Sequence, residues 1–386
     1  MRPPRGNART VEAFSLVDLA GKVTNMTHRE RFNRIFRYQP VDRAPYWGTG
    51  GWSETMRRWI SEGMPEAVSL SKYFGAEETK GIPVYYGPWP HFPYEVLKEE
   101  GATQVVRNHE GIIMRVYKTD GDRSMPHFLE FPVKTRDDYR TIIKPRLCQN
   151  PRDRFPADWN RRCAEWKERT DPLCLFGDRW SGFFGPLRNL MGLENLSYAF
   201  YDDPALIEEM MDDICDNILL ITEQILNDTD IDYWAFWEDM GMKTGPLLSP
   251  ELFDRFMVPR YRRVTDYLRS RGVDLIFVDS DGDVHALIPL WLKAGVNGLW
   301  PCEIAANMEP APIKKQYGRD LLLCGGIDKR ALAAGPKAID EELKKVPPLV
   351  AGGGYVPMVD HSCPPDISWS NYCYYMEKLK EAIRIA

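Results

Sequence analysis

The amino-acid sequence predicts an α/β fold, a (β/α)8 barrel with an N-terminal arm and an antiparallel β-hairpin insertion. Three observations predict it. From residue 230 onward, five strand–loop–helix units follow one another at roughly 30 residues each, the repeat of such a barrel. These strands end in charged side chains, where the loops of a parallel fold converge on one face. No Gly-rich dinucleotide fingerprint supports the runner-up, an open doubly wound sheet.

Bulk properties narrow the function classes. With 386 residues and 44% apolar content, the chain can bury one large barrel core or two average domains. The formal net charge is −6 and no Lys/Arg stripe stands out, which argues against a nucleic-acid surface. The eight cysteines form no CxxC pair, so a reduced, cytoplasmic setting is expected. Residues 1–26 lack the apolar core of a signal peptide, and no run reaches the roughly 18–20 apolar residues of a membrane span.

Residues 1–26 read as an arm, and residues 27–386 as the barrel. Thr27-His-Arg-Glu30 is a capping box, and Phe32, Ile35 and Phe36 share one side of the helix it opens; Pro40 stops it. Arg43–Gly48 is the expected first strand, and 81–86 the second. The stretch 103–117 alternates around a His-Glu-Gly turn, and 127–132 extends it, so 103–132 reads as the hairpin insertion. Regular α/β alternation begins at Leu173. Asp203-Pro204 caps a helix whose Leu206, Met210, Ile214, Ile218, Ile221 and Ile225 form one buried face. Later strands are expected at 233–237, 274–278, 298–302, 321–324 and 354–359, with a last helix at about 368–384.

The stretch Leu275–Val278 runs straight into Asp279, Asp281 and Asp283, with Gly282 among them. Three carboxylates on one turn repel each other, which marks the floor of a site. Glu238, Asp239, Glu303, Lys329 and His361 also follow predicted strands, and the barrel would bring them to one mouth. Crowded acids raise each other's pKa, as proton transfer requires, or share a cation. Structural duties compete: Asp279 and Asp281 as caps, Glu238 and Asp239 as ion-pair partners, Glu303 at a helix dipole. Gly325-Gly326 implies a tight turn or a close backbone approach. Trp47, Trp180 and Trp237 are candidate aromatic walls for a substrate, with core packing the alternative.

Thr27-His-Arg-Glu-Arg-Phe32 and Gln39-Pro-Val-Asp-Arg-Ala-Pro45 resemble the opening of the uroporphyrinogen decarboxylase superfamily. Val278–Asp283, Cys324–Lys329, Gly352–Pro357 and Asp360–Asp366 resemble its corrinoid methyltransferase branch. The resemblance spans about residues 27–384 and implies a (β/α)8 barrel. His361 matches the late cleft histidine of the decarboxylases. Their loop after the first strand carries arginines, whereas here it is Gly48-Thr-Gly-Gly-Trp-Ser53. The methyltransferases hold zinc by His-x-Cys and a later Cys. Those positions fall at Asp279-Ser-Asp281 and near His361–Cys363, so Asp279, Asp281 and His361 are the candidate ligands of a zinc ion.

What the resemblance implies is an enzyme that moves a methyl group from a small O- or N-methylated compound, such as a methoxyaromatic, to a corrinoid (cobalamin) carried by a partner protein. Glu238, Asp239, Asp279, Asp281, Glu303 and His361 are its candidate catalytic residues. Trp47, Trp180, Trp237 and Lys329 are candidates for binding substrate. A homodimer is the assembly considered. Two alternatives are a uroporphyrinogen-type decarboxylase and a non-catalytic tetrapyrrole- or corrinoid-binding protein.

Overall fold

The computed structural model describes residues 26–118, 126–147 and 150–385. The expected arm, apart from Met26, lies outside them, as do residues 119–125 of the expected insertion. The strands in chain order are β1 (Lys80–Gly81), β2 (Glu95–Glu100), β3 (Thr103–Arg107), β4 (Ile113–Tyr117), β5 (His127–Glu130), β6 (Leu173–Phe176), β7 (Tyr233–Trp237), β8 (Gly241–Met242), β9 (Gly245–Pro246), β10 (Ile276–Asp279), β11 (Gly298–Trp300), β12 (Leu322–Ile327) and β13 (Tyr355–Val359). Seven form one parallel sheet in the order β1-β6-β7-β10-β11-β12-β13. This curled sheet, with helices between its strands, is the α/β architecture expected.

The first expected strand does not pair as one. Residues 44–52 lie between the sheet's two edges instead. On the β1 side the Glu77 N–H donates to the Tyr46 carbonyl; on the β13 side Trp52 N–H donates to Cys363 O and Cys363 N–H to Gly50 O. Pro45 has no N–H to offer a ladder, and three glycines at 48, 50 and 51 weaken strand propensity. The second expected strand shrinks to Lys80–Gly81, ahead of Pro83. The pairing of β3 with β4 matches the expected hairpin and β5 its expected extension, and an unexpected β2 makes the whole a four-stranded antiparallel sheet.

Strand alternation sorts the apolar residues into two layers. Leu173, Leu175, Trp234, Phe236, Ile276, Val278 and Leu323 face the surrounding helices and form the main core. Among these helices, Pro204–Asp228 buries the predicted face and is capped by Asp203. Cys174, Tyr233, Ala235, Leu275, Phe277, Leu322, Cys324 and Val356 face inward instead. The helix His28–Phe36 closes the N-terminal end of that interior with Phe32, Ile35 and Phe36. Its capping box forms as predicted, with Glu30 N–H on the Thr27 hydroxyl and Thr27 N–H on the Glu30 carboxylate. Among the described residues no helix is long and apolar enough to cross a membrane.

Candidate functional site

The inward-facing positions lead upward to a cleft of about 600 Å³ at the C-terminal ends of β7, β10, β11 and β13. Its lining includes Trp47, Tyr233, Trp237, Trp300 and Met358. It also includes Asp239, Asp279, Asp281 and the imidazole of His361, with Glu78 and the Arg31- and Arg43-paired Glu77 entering from the segment ahead of β1. No lysine or arginine lines it among the described residues.

Strand register explains the centre of this cleft. Asp279 is the last residue of β10 and continues the inward parity of Phe277. It pairs in register with Trp237 on β7 and with Trp300 on β11, so the carboxyl stands between two indoles. The Trp300 ring stacks on Phe277 at 6.2 Å, and its N–H donates to Asp279. Gly298 makes that stacking feasible, since a Cβ there would fall 2.2 Å from the Phe277 ring. Burial, with Asp281 and Asp239 adding repulsion, pushes Asp279 up to about 8. The carboxyl therefore keeps its proton at neutral pH, although part of its surface stays open to the cleft.

Asp281 follows on the loop after β10, with His361 Nε2 3.4 Å from its Oδ2. The bond to Asp281 raises the His361 pKa, against the opposing pull of burial. Trp52, half exposed, lies against the imidazole at 5.5 Å between ring centroids. Asp239 sits at a left-handed φ of 46°. Arg188 fixes it there, donating to its carbonyl at 2.8 Å and to Oδ2 at 2.7 Å. Two glycines set the spacing of these loops: Gly241 touches the Asp281 carbonyl, and Gly282, at φ +84°, touches Gly241.

Four expected site residues lie elsewhere. Glu238 turns away from the cleft and is fully buried. Its oxygens accept from Phe183 N–H at 2.8 Å, from Gly185 N–H at 2.9 Å and from the Tyr261 hydroxyl, so it anchors the start of helix Phe184–Met191. Burial outweighs these bonds and pushes it up to about 7. Trp180 is buried, its N–H on Glu110 at 3.0 Å. Glu303 and Lys329 pair at 3.0 Å, and Lys329 lies 3.6 Å from buried Asp360. Glu303 also accepts from Gly282 N–H at 3.2 Å, which braces the Asp281 loop from behind. Of the expected set, Trp47, Trp237, Asp239, Asp279, Asp281 and His361 do meet in the cleft. The reading missed Trp300, whose inward parity on β11 was the available signal. It also missed Arg188, which no sequence pattern marked.

The expected zinc ligands Asp279, Asp281 and His361 line one cleft but are not arranged as a metal-holding group. Among the described residues no group of three or more His, Cys, Asp or Glu side chains is arranged to hold a metal. The close approach expected at Gly325-Gly326 is present: a Cβ on Gly325 would lie 1.7 Å from the Pro301 carbonyl oxygen.

Comparisons with known proteins fit this geometry. The chain is 23% identical over 120 residues to a uroporphyrinogen decarboxylase of Maricaulis maris (strain MCS10), a match covering 31% of this chain and about a third of that protein's length (34%). The structure superimposes on a methyltransferase from Methanosarcina mazei with a TM-score of 0.59, at 16% identity, over 92% of this chain and 99% of that one. This likeness is one of fold. The uroporphyrinogen decarboxylase (URO-D) family model matches residues 184–382, just over half of the sequence and the part that carries β7 to β13, so the chain belongs to the uroporphyrinogen decarboxylase family.

Proposed function

We propose that the protein is a methyltransferase that moves a methyl group from a small O- or N-methylated compound to a corrinoid carried by a partner protein. One observation carries this reading: the cleft is lined by carboxylates and indoles, with no lysine or arginine among the described lining residues. A porphyrinogen with several carboxylates needs cationic partners, so the decarboxylase reading lacks its binding groups. We also take the seven-stranded sheet as the larger part of a (β/α)8 barrel that residues 44–52 complete.

The corrinoid would supply a strong nucleophile for the methyl carbon. The protein's own residues would bind, orient and manage charge. The aromatic walls exclude water and hold an apolar methylated group. The departing atom leaves with the electron pair of the broken bond. An oxygen takes a proton at that moment, and Asp279 Oδ carries one at neutral pH. A nitrogen that is already cationic needs none. His361 and Asp281 hold each other at the mouth, beside half-exposed Trp52, where an acceptor protein has access.

The test is a methyl-transfer assay with the purified chain, cob(I)alamin and a panel of O- and N-methylated small compounds. Methylcobalamin formation, followed by absorbance, is expected. Release of CO2 from uroporphyrinogen with no methyl transfer would reverse the reading in favour of the decarboxylase.

A further inference from the structure

The methyl-transfer reading leaves the donor's class open, and the walls of the cleft narrow it. Trp300 stands beside Asp279 in strand register, with Trp47 and Tyr233 on the same lining. Asp281 and Asp239 face the same space. The basic groups nearby are engaged: His361 with Asp281, and Arg188 with Asp239 at 2.7 Å. Arg188 and Arg179 also lie over the Trp237 ring, 5.4 and 5.5 Å from its centroid, so that indole already has cations against it. Trp47 and Trp300 carry no such cation among the described contacts.

Indole faces attract cations through their quadrupole, and most of all quaternary ammonium groups, which are bulky and weakly hydrated. Carboxylates attract the same ligands through charge. The two features come from different elements and select one chemistry. An anionic donor would meet Asp239 and Asp281 with no free counter-charge. A neutral arene would stack on the walls but draw nothing from the carboxylates beside them. A methylammonium ion satisfies both.

We propose that the ligand of this cleft is a small quaternary methylammonium cation, held against Trp47 and Trp300 and facing the Asp281 carboxylate. Resting on the methyl-transfer reading, that cation is the methyl donor. The carbon–nitrogen bond breaks, its electron pair stays on nitrogen, and a neutral tertiary amine leaves. The low-valent corrinoid supplies the two electrons that bind the methyl carbon, so no proton is consumed.

The test compares choline with 3,3-dimethyl-1-butanol, which has the same shape with carbon in place of the cationic nitrogen. Both are titrated into the full chain by calorimetry, alongside 2-methoxyphenol and 2-methoxybenzoate. Choline is expected to bind at least about tenfold tighter than its neutral isostere. Trp300→Leu and Asp281→Asn should each remove most of that difference. Equal binding of the two isosteres, or tighter binding of either methoxy compound, overturns the inference, and this comparison needs only wild-type protein. Methyl transfer to cob(I)alamin is scored separately. Choline selectivity without transfer supports the cation site and removes the methyltransferase reading; transfer from 2-methoxyphenol with no charge selectivity does the reverse.

Discussion

His361 and Asp281 meet across the mouth of the cleft, Nε2 3.4 Å from Oδ2, although they follow β13 and β10 respectively. The bond raises the imidazole above its ordinary value, while burial alone would lower it. In Asp281→Asn the His361 pKa should therefore fall below the wild-type value, as read by ¹⁵N–¹H correlation of the ring. The folded state holds this proton more tightly than the unfolded chain. The pair's stabilisation is thus complete below about 6.5 and disappears as pH rises through the folded value. Both side chains are partly exposed, so the effect on unfolding should stay under about 1 kcal/mol.

Asp279 gives the larger pH signature. Its carboxyl is pushed up to about 8, chiefly by burial. The folded state then binds a proton that the unfolded chain releases near 3.9. Stability should fall as pH rises between those values, by at most about 1.4 kcal/mol per unit, and level off above about 8. Asp279→Asn cannot titrate there. Its stability relative to wild type, from urea unfolding at pH 5 and pH 9, should be more favourable at pH 9. An unchanged difference would place the proton elsewhere.

Glu238 should behave as a structural anchor. Glu238→Ala leaves two backbone N–H groups and the Tyr261 hydroxyl without their acceptor, at a cost of roughly 3 kcal/mol or more. Glu238→Gln keeps the shape and one acceptor, and should recover part of that loss. Choline binding by the folded fraction should be unaffected in Glu238→Gln. A loss of binding at unchanged thermal stability would return Glu238 to the site.

Gly282→Ala tests the loop spacing. A Cβ there would fall 2.3 Å from the Gly241 carbonyl carbon, at a φ of +84°. We expect destabilisation of about 1–3 kcal/mol in thermal unfolding. The displaced loop should also pull Asp281 from His361, so the imidazole pKa should drop as in Asp281→Asn. Retention of the wild-type imidazole pKa would show that the glycine contact does not set Asp281.

The strand ends were legible because charge after an apolar run is a local pattern. Asp279, Asp281 and His361 were found that way, and they share the cleft. Facing was harder to read. Glu238 and Asp239 are adjacent, and the turn after β7 sends one carboxylate under a helix and the other into the cleft. Which goes where depends on Gly185 and Arg188, residues on a helix that sequence spacing alone does not bring near. Lys329 was a candidate for binding substrate, and its ion-pair partners Glu303 and Asp360 could not be seen because they follow different strands. The expected first strand fails for a local reason, Pro45 within it and the glycines at 48, 50 and 51 at its end, that its apolar and aromatic residues concealed.

The helix His28–Phe36 has a consequence for how the chain acquires its shape during synthesis. Its Phe32, Ile35 and Phe36 pack with Leu322, Cys324 and Val356, contributed by some of the last strands to be made. The same helix also packs on Trp47, Tyr233 and Phe277, so its seat is assembled from segments spread from residue 47 to residue 356. Contacts so distant in sequence form slowly. The aromatic plug beneath the cleft thus ties the first described helix to the sheet's two final strands, β12 and β13.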